Sequence, residues 1–283
     1  MMSDAKNLTI FLLILALFLG ATVEITEGSV LVGVLLFAIA IILISRVRFG
    51  KSYSVDRSRV RMFLGIAIIA ADAIYNIYSG NQLGTVDIMT FLLGLSLIAY
   101  DLKSEDARRM GKFGAYMSAT FLVLYIIFYD FFGIFETDVI HLFDHYFVLI
   151  PSITLVKALG IPVEVIATET VYVGGIEDMS VIIGGPCSGL YSMFLLVGIM
   201  VAYTRIEPIE QRIFYSMLMI SVVVSYVANL LRVTTLYVVA YNYGSEAMFT
   251  VHTHLGWIIF AVIVTAILYV LDRMSLVRTP DQS

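Results

Sequence analysis

Long apolar runs, separated by short polar segments, dominate this chain. A helix needs about 20 mainly apolar residues to cross the hydrocarbon core of a bilayer. Eight stretches approach or meet that length, which predicts eight membrane-spanning helices. They run roughly from Leu8 to Val23, Ser29 to Ser45, Val60 to Ser79, Leu83 to Tyr100, Phe113 to Phe132, Cys187 to Thr204, Ile213 to Tyr241 and Ala247 to Leu271. The first stretch is short and follows a lone Lys6, so a signal peptide is an alternative interpretation of it.

A further apolar stretch, from Val139 to Leu159, is interrupted by polar residues and a proline. These residues are His141, Asp144, His145, Pro151 and Lys157. If the stretch crossed the membrane, every later segment would change sides, and the basic residues of the C-terminal half would face outward. We therefore predict a kinked helix that lies at, or dips into, the outer interface, with a ninth span as the alternative.

Residues 161–185 change to β-branched residues broken by glycines, a pattern typical of a small β-hairpin. The segment also carries four acidic residues, which suit an exposed loop outside the cell. They are Glu164, Glu169, Glu177 and Asp178. The predicted hairpin leads directly into Pro186 and Cys187.

Composition agrees with a membrane protein, because 60% of the residues are hydrophobic, 14% are charged and the mean hydropathy is +0.95. A soluble domain of this length would need far more polar surface. We predict an all-α polytopic membrane protein of about eight transmembrane helices with a small extracytoplasmic β-hairpin. Its parts are N-terminal helices in 1–132, an interfacial helix and hairpin in 133–186, and a three-helix catalytic segment in 187–283. The charge pattern gives no support for nucleic-acid binding.

Basic residues concentrate in alternate loops and at the C-terminus. They are Arg46, Arg48, Lys51, Arg57, Arg59, Arg61, Lys103, Arg108, Arg109, Lys112, Arg205, Arg212, Arg273 and Arg278. All of them fall on one side of the membrane in the eight-helix arrangement, and the positive-inside rule makes that side cytoplasmic. We therefore expect a multi-pass protein of the cell membrane with both termini in the cytoplasm.

The chain has a single cysteine, Cys187, which follows Gly-Gly-Pro and precedes Ser188 and Gly189. Proline favours the first turn of a helix, so the thiol is expected near a helix N-terminus. The dipole there favours thiolate over thiol and supplies a nucleophile. The alternative is a small apolar residue used in packing. A lone cysteine excludes a disulfide framework or a thiolate metal cluster.

Arg232 lies inside an otherwise apolar predicted span, where a charge costs at least about 2.5 to 3.5 kcal/mol on insertion scales. Asn229 and Thr235 are three residues away on either side and share its helix face. The alternatives are an arginine that snorkels to the interface, or an ion pair with Asp72 or Asp130.

His252 and His254 lie at the start of the last predicted span. A histidine titrates near neutral pH and can accept and return a proton, although interfacial histidines are often polar anchors. Their i, i+2 spacing directs them to different helix faces, which makes them a poor metal pair. No cofactor or metal is expected, because the four histidines and one cysteine do not have the spacing of a zinc site.

The predicted topology gives Cys187, Arg232 and His252 the same depth near the outer face. A thiolate nucleophile, a base and a fixed cation for an oxyanion are the parts of an acyl-transfer site. In order and spacing, Pro186-Cys187-Ser188-Gly189-Leu190, Asn229-Leu230-Leu231-Arg232, and His252 before Gly256-Trp257 resemble the exosortase/archaeosortase family of membrane-embedded cysteine transpeptidases. The resemblance spans roughly residues 161–260.

The resemblance implies that Cys187 attacks a peptide bond near the C-terminus of surface proteins that carry a sorting motif, a transmembrane segment and a basic tail. A thioester would form and an acceptor, in archaeal relatives a lipid head group, would resolve it. By the same resemblance Arg232 would hold the oxyanion or orient the substrate, and His252 would carry the proton. Asn229 would give support, with Ser188 and Gly189 shaping the turn that presents the thiol.

Several alternatives remain at this point. Some archaeal members resemble this chain but have arginine in place of His252, so this position has either an acid–base or an electrostatic role, and His254 competes for it. Hydrolysis by an intramembrane cysteine protease would use the same residues. A secondary transporter would use Arg232, Asp72 and Asn76 as a midplane polar site. A non-catalytic scaffold would use none of them.

Overall fold

The computed structural model describes residues 31–36, 38–39, 59–80, 84–131, 139–183, 188–206 and 210–276, together with Leu17 and Gly20. Nearly all of the first predicted span, about half of the second, and Cys187 therefore lie outside the described residues. The described part is mostly helical with one small sheet, which agrees with the predicted class.

The helices follow the apolar runs. We label them α1 (Arg59–Ser79), α2 (Thr85–Tyr100), α3 (Glu105–Tyr125, continued by a π-helical turn at Ile126–Phe131), α4 (Val139–Ala158) and α5 (Leu190–Ile206). A last helical segment, Gln211–Leu276, is broken at Gly244, where φ is +81° and ψ is −175°. We call its two parts α6 (211–243) and α7 (245–276).

Among the described residues, four helical stretches are long and apolar enough to cross a membrane: Arg59–Ser79, Ala107–Asp130, Val139–Ala158 and Gln211–Ile267. The last of these contains both α6 and α7, and α2 and α5 are shorter apolar helices. The chain is thus an integral membrane protein, whereas the full count of eight spans stays a prediction.

The described residues form two compact units. The first contains Arg46–Ile127 and Phe194–Ser221, and the second contains Phe128–Met193 and Val222–Ser283 with Thr9–Ser45. The boundaries between the two units fall within α3, α5 and α6, so each of these helices contributes residues to both units.

In the first unit, α1 and α2 approach closely through glycines. A Cβ added at Gly65 would lie 2.6 Å from the carbonyl oxygen of Gly94. Small residues at such contacts are typical of membrane helix pairs. The Arg61 guanidinium donates to Asp101, with Nη2 2.6 Å from Oδ1, so the start of α1 and the end of α2 lie together. The predicted cytoplasmic position of these two helix ends stays a prediction.

The same unit contains Asp72 and Asn76, which a transporter would use together with Arg232. The Asn76 amide donates to the Asp72 carbonyl at 2.9 Å and to Asp87 Oδ1 at 3.3 Å. Asp87 also accepts from the N–H of Gly84, its own helix N-cap, at 2.7 Å. These contacts stabilise the α1–α2 connection, whereas Arg232 belongs to the second unit.

In the second unit, the predicted hairpin is a three-stranded antiparallel sheet. Its strands are β1 (Val163–Val165), β2 (Thr170–Gly174) and β3 (Asp178–Ile182), in the order β1-β2-β3. Alternate residues, such as Val171 and Val173, are fully buried on one face. That face packs in a core with residues of α4, α6 and α7, including Val148, Tyr237 and Met248. The sheet is thus held by its apolar face, and its other face is exposed.

The helix α4 has an irregular middle, as predicted from Pro151. Residues Asp144–Leu149 form a π-helical segment before the α-helical Ile150–Ala158. Proline has no N–H, so it cannot donate to the carbonyl four residues earlier, which is that of Phe147. The Tyr226 hydroxyl of α6 donates to this carbonyl at 2.8 Å. The helix is long and apolar enough to cross a membrane, and its predicted interfacial position stays a prediction.

Candidate active site

Six of the seven predicted site residues lie in the described part of the chain, and all six belong to the second unit. They are Ser188, Gly189, Asn229, Arg232, His252 and His254. Cys187 lies outside the described residues. The structure is described again from Ser188, the residue that directly follows Cys187 in the sequence.

Asn229 of α6 contacts the residue that follows Cys187. Its side-chain Nδ2 donates to the backbone carbonyl of Ser188 at 2.8 Å, and both residues are buried. A buried carbonyl left without a donor would cost about 1 to 3 kcal/mol, so this contact matters for the local fold. The Ser188 hydroxyl accepts from the N–H of Leu190 at 3.3 Å. The predicted supporting residues Asn229 and Ser188 are thus brought together.

Gly189 explains where α5 begins. Its φ of +81° is a left-handed conformation that favours glycine, and a Cβ there would lie 2.5 Å from Asn229 Cγ. This backbone conformation is not helical, so α5 begins at Leu190, three residues later than the predicted start at Cys187. Gly189 lets Asn229 pack directly against the turn.

Arg232 lies one helical turn after Asn229 on α6, and its guanidinium packs against Gly256 of α7. A Cβ on Gly256 would lie 3.1 Å from Arg232 Nη2 and 3.2 Å from Cζ. The two residues are each twelve positions from Gly244, so α6 and α7 fold back alongside each other at this level. Gly256 thus leaves room for a large cation between two helices.

His252 precedes Gly256 by four residues and therefore shares its helix face. The imidazole is partly buried, and the positive charge of Arg232 acts on it electrostatically. The structure brings these two predicted site residues together from different helices. A guanidinium has five N–H donors, and an imidazole can exchange a proton, so the two side chains have the chemistry that their predicted roles require.

His254 has a different environment. Its Nδ1 is 2.7 Å from the carbonyl of Thr250, and because a carbonyl only accepts, Nδ1 carries the proton. The ring is thereby turned back along its own helix. The charge of Arg232 acts on His252.

The turn between β2 and β3 contacts the break between α6 and α7. Ile176 donates its N–H to the Tyr241 carbonyl at 3.1 Å. Glu177 Oε2 accepts from the Ser245 N–H at 3.1 Å and from its hydroxyl at 2.9 Å. These hydrogen bonds hold the pKa of Glu177 below its ordinary value. We call this contact the hairpin joint. It links the strand that leads toward Cys187 to the helices that carry Arg232 and His252.

The other two histidines fix the sheet to α4. His141 Nδ1 contacts the Glu169 carboxylate, and His145 Nδ1 is 2.6 Å from the Thr168 carbonyl. Both partners lie just before β2. These two histidines therefore connect α4 to the segment before β2.

Sequence reasoning gave no role in the site to three contributors: Gly256, Glu177 and Ser245. The sequence offered a weak signal for Gly256, since it lies one turn after His252. The Gly244-Ser245 pair between two apolar windows signals a helix break. The partnership of Glu177 with Ser245 has no local signal, because the two are 68 residues apart.

The chain matches a known protein family. A family model described as transmembrane exosortase matches residues 25–269. No curated protein and no solved structure matches the chain.

Proposed function

The chain belongs to the transmembrane exosortase family, whose members are membrane cysteine transpeptidases, and from that premise we propose that it is a sorting transpeptidase. It cleaves the C-terminal sorting signal of surface proteins through a thioester on Cys187 and transfers them to an acceptor. We propose a membrane lipid as that acceptor. The substrates carry a sorting motif, a transmembrane segment and a basic tail.

In the first step, the Cys187 thiolate adds to the carbonyl carbon of the scissile peptide bond, and the carbonyl oxygen becomes an oxyanion. Arg232 donates hydrogen bonds to this oxyanion. The C–N bond then breaks, the leaving amine takes a proton from the histidinium form of His252, and a thioester remains. That proton is the one that His252 took from the thiol.

In the second step, a nucleophilic hydroxyl or amine of the acceptor gives its proton to His252 and adds to the thioester carbonyl. The C–S bond breaks and the thiolate is restored. Water in place of the acceptor would give hydrolysis with the same residues. In the net reaction, a peptide bond of the substrate is exchanged for an ester or amide bond to the acceptor, and no oxidant or reductant is needed.

The observation that carries this proposal is a chain of contacts in the second unit. Asn229 holds the Ser188 carbonyl next to Cys187, Arg232 follows Asn229 by one turn, and Arg232 packs against the α7 face that bears His252. This supports a single centre that contains nucleophile, cation and proton carrier. The predicted extracytoplasmic position of that centre agrees with substrates that are surface proteins.

The proposal is tested first through the thiol. Right-side-out vesicles are treated with a membrane-impermeant maleimide over a pH series, and Cys187 is the only thiol in the chain. We expect labelling from outside, with thiolate persisting below the free-cysteine pKa of about 8.5. Labelling only from the cytoplasmic side would contradict the topology.

The chemistry is tested in proteoliposomes with a library of internally quenched peptides. We expect an acid-stable acyl adduct on Cys187 that neutral hydroxylamine releases, and loss of cleavage by about 10² to 10³ in Arg232→Ala. The matched control is Arg205→Ala, since Arg205 of α5 stacks on Tyr116 in the first unit. Cleavage that persists in Cys187→Ala would exclude the proposed nucleophile.

A further inference from the structure

The outer edge of β3 carries a set of backbone groups that the sheet does not use. The hydrogen bond from Ile183 N–H to the Glu169 carbonyl, at 2.8 Å, fixes the phase of the β2–β3 ladder. In an antiparallel pair, alternate residues bond to the partner strand and the others point away. With the observed register, Met179 and Val181 point to β2, and Ser180 and Ile182 direct N–H and C=O to the outer edge.

No strand within the described ranges lies on that outer edge, because the sheet order is β1-β2-β3. Ser180 and Ile182 are exposed, and Ile182 retains 68% of its surface. Exposed edges are usually protected by charged side chains, above all lysine, by proline or by a bulge. After Asp178 at its first position, β3 has no charged residue and no proline, and its register with β2 runs without a bulge. Such an edge is suited to pair with an extended peptide.

The edge is continuous with the proposed nucleophile. Cys187 follows Ile182 by five residues, so at the length of an extended chain it lies no more than about 18 Å from Ile182. The hairpin joint fixes the other end of β3 to the start of α7 through Glu177 and Ser245. One end of β3 is therefore held by that contact, and Cys187 follows the other end by five residues of sequence.

We propose that the outer edge of β3 is the docking site for the sorting segment of the substrate, which binds as an added, extended strand beside Ser180 and Ile182. This inference rests on the proposed function and names how that function recognises its substrate. Backbone pairing holds the peptide extended and brings its scissile bond toward Cys187. Side chains at alternate positions of the peptide then contact the exposed face of the sheet.

The protein-side test is proline at position 180, in the full-length protein in proteoliposomes. The N–H of residue 180 points to the outer edge, so Ser180→Pro removes a docking donor but no β2–β3 hydrogen bond. Ser180→Ala keeps the donor. With a peptide selected from the quenched library, we expect KM about five-fold higher for Ser180→Pro than for Ser180→Ala, with similar kcat. Equal KM values would contradict the docking edge.

The substrate-side test leaves the protein unchanged and thus avoids any folding defect. Each backbone amide of the selected peptide is N-methylated in turn. Because an added strand uses every second residue for hydrogen bonds, losses in kcat/KM are expected at alternate positions. Losses that do not alternate along the peptide would overturn the docking inference but leave the proposed function standing. A wild-type protein that cleaves no library peptide would instead count against the proposed function, and the inference would fall with it.

Discussion

The side-chain amide of Asn229 donates a 2.8 Å hydrogen bond to the carbonyl of Ser188, the residue that follows the only cysteine. Through this bond the helix that carries Arg232 also holds the backbone beside Cys187. Gly189 makes the contact possible, since a side chain there would occupy the space of the Asn229 amide. The backbone turn next to the proposed nucleophile therefore depends on Asn229, which has no proposed part in bond making.

Asn229→Ala should lower stability and slow turnover together. The variant leaves the buried Ser188 carbonyl without this donor, which predicts a loss of about 1 to 3 kcal/mol in the free energy of unfolding. Maleimide labelling of Cys187 should also change in rate. Asn242→Ala is the matched control, because Asn242 of the same helix donates only to the Val238 carbonyl at an exposed position. Equal effects of the two variants would contradict a specific role for the Asn229–Ser188 hydrogen bond.

Gly256→Ala should reduce activity with little loss of stability. The added methyl would lie 3.1 Å from Arg232 Nη2, so the guanidinium must shift by a few tenths of an ångström. Small displacements of catalytic groups are costly, and we expect kcat to fall about tenfold. In an Arg232→Ala background the same change should have almost no effect, because the cation it displaces is gone. Additive effects would show that Gly256 acts elsewhere.

Two substitutions at His252 distinguish its two proposed roles. If the ring exchanges a proton, His252→Gln and His252→Arg should both lower kcat by about 10² to 10⁴. If the position supplies positive charge, His252→Arg should retain most of the activity and only His252→Gln should lose it. His254→Gln is the control, since its ring is bonded to Thr250 of its own helix. The measurement is kcat on the selected peptide.

The hairpin joint should make stability pH-dependent in acid. Hydrogen bonds from the N–H and hydroxyl of Ser245 lower the pKa of Glu177 below its usual 4.5. The folded state therefore binds this proton more weakly than the unfolded chain. The resulting stabilisation is present above pH 4.5 and is lost as the pH falls through the lowered folded pKa.

The measurement is the melting temperature of wild type and Glu177→Gln from neutral pH downward. The difference between the two should be largest at neutral pH and shrink in acid. Glu164→Gln, at an exposed position on β1, gives a control without the Ser245 contact. A difference between wild type and Glu177→Gln that does not change with pH would contradict this origin.

The sequence predicted features that follow from local pattern. The apolar run from Val60 predicted α1 to within one residue of its observed start at Arg59, and the gap between the last two windows coincides with the break at Gly244. The β-branched segment predicted strands, but β1 has only three residues and was too short to detect. The contact of Arg232 with Gly256 depends on how α6 folds back on α7, which no local pattern encodes.

The hydrogen bond from Tyr226 to the Phe147 carbonyl has an evolutionary consequence. The hydroxyl supplies a hydrogen bond to this carbonyl that Pro151, which has no N–H, cannot supply. Phenylalanine at position 226 would therefore be tolerated poorly while the proline is present, and more easily after the proline is lost. We therefore expect positions 151 and 226 to vary together among related sequences.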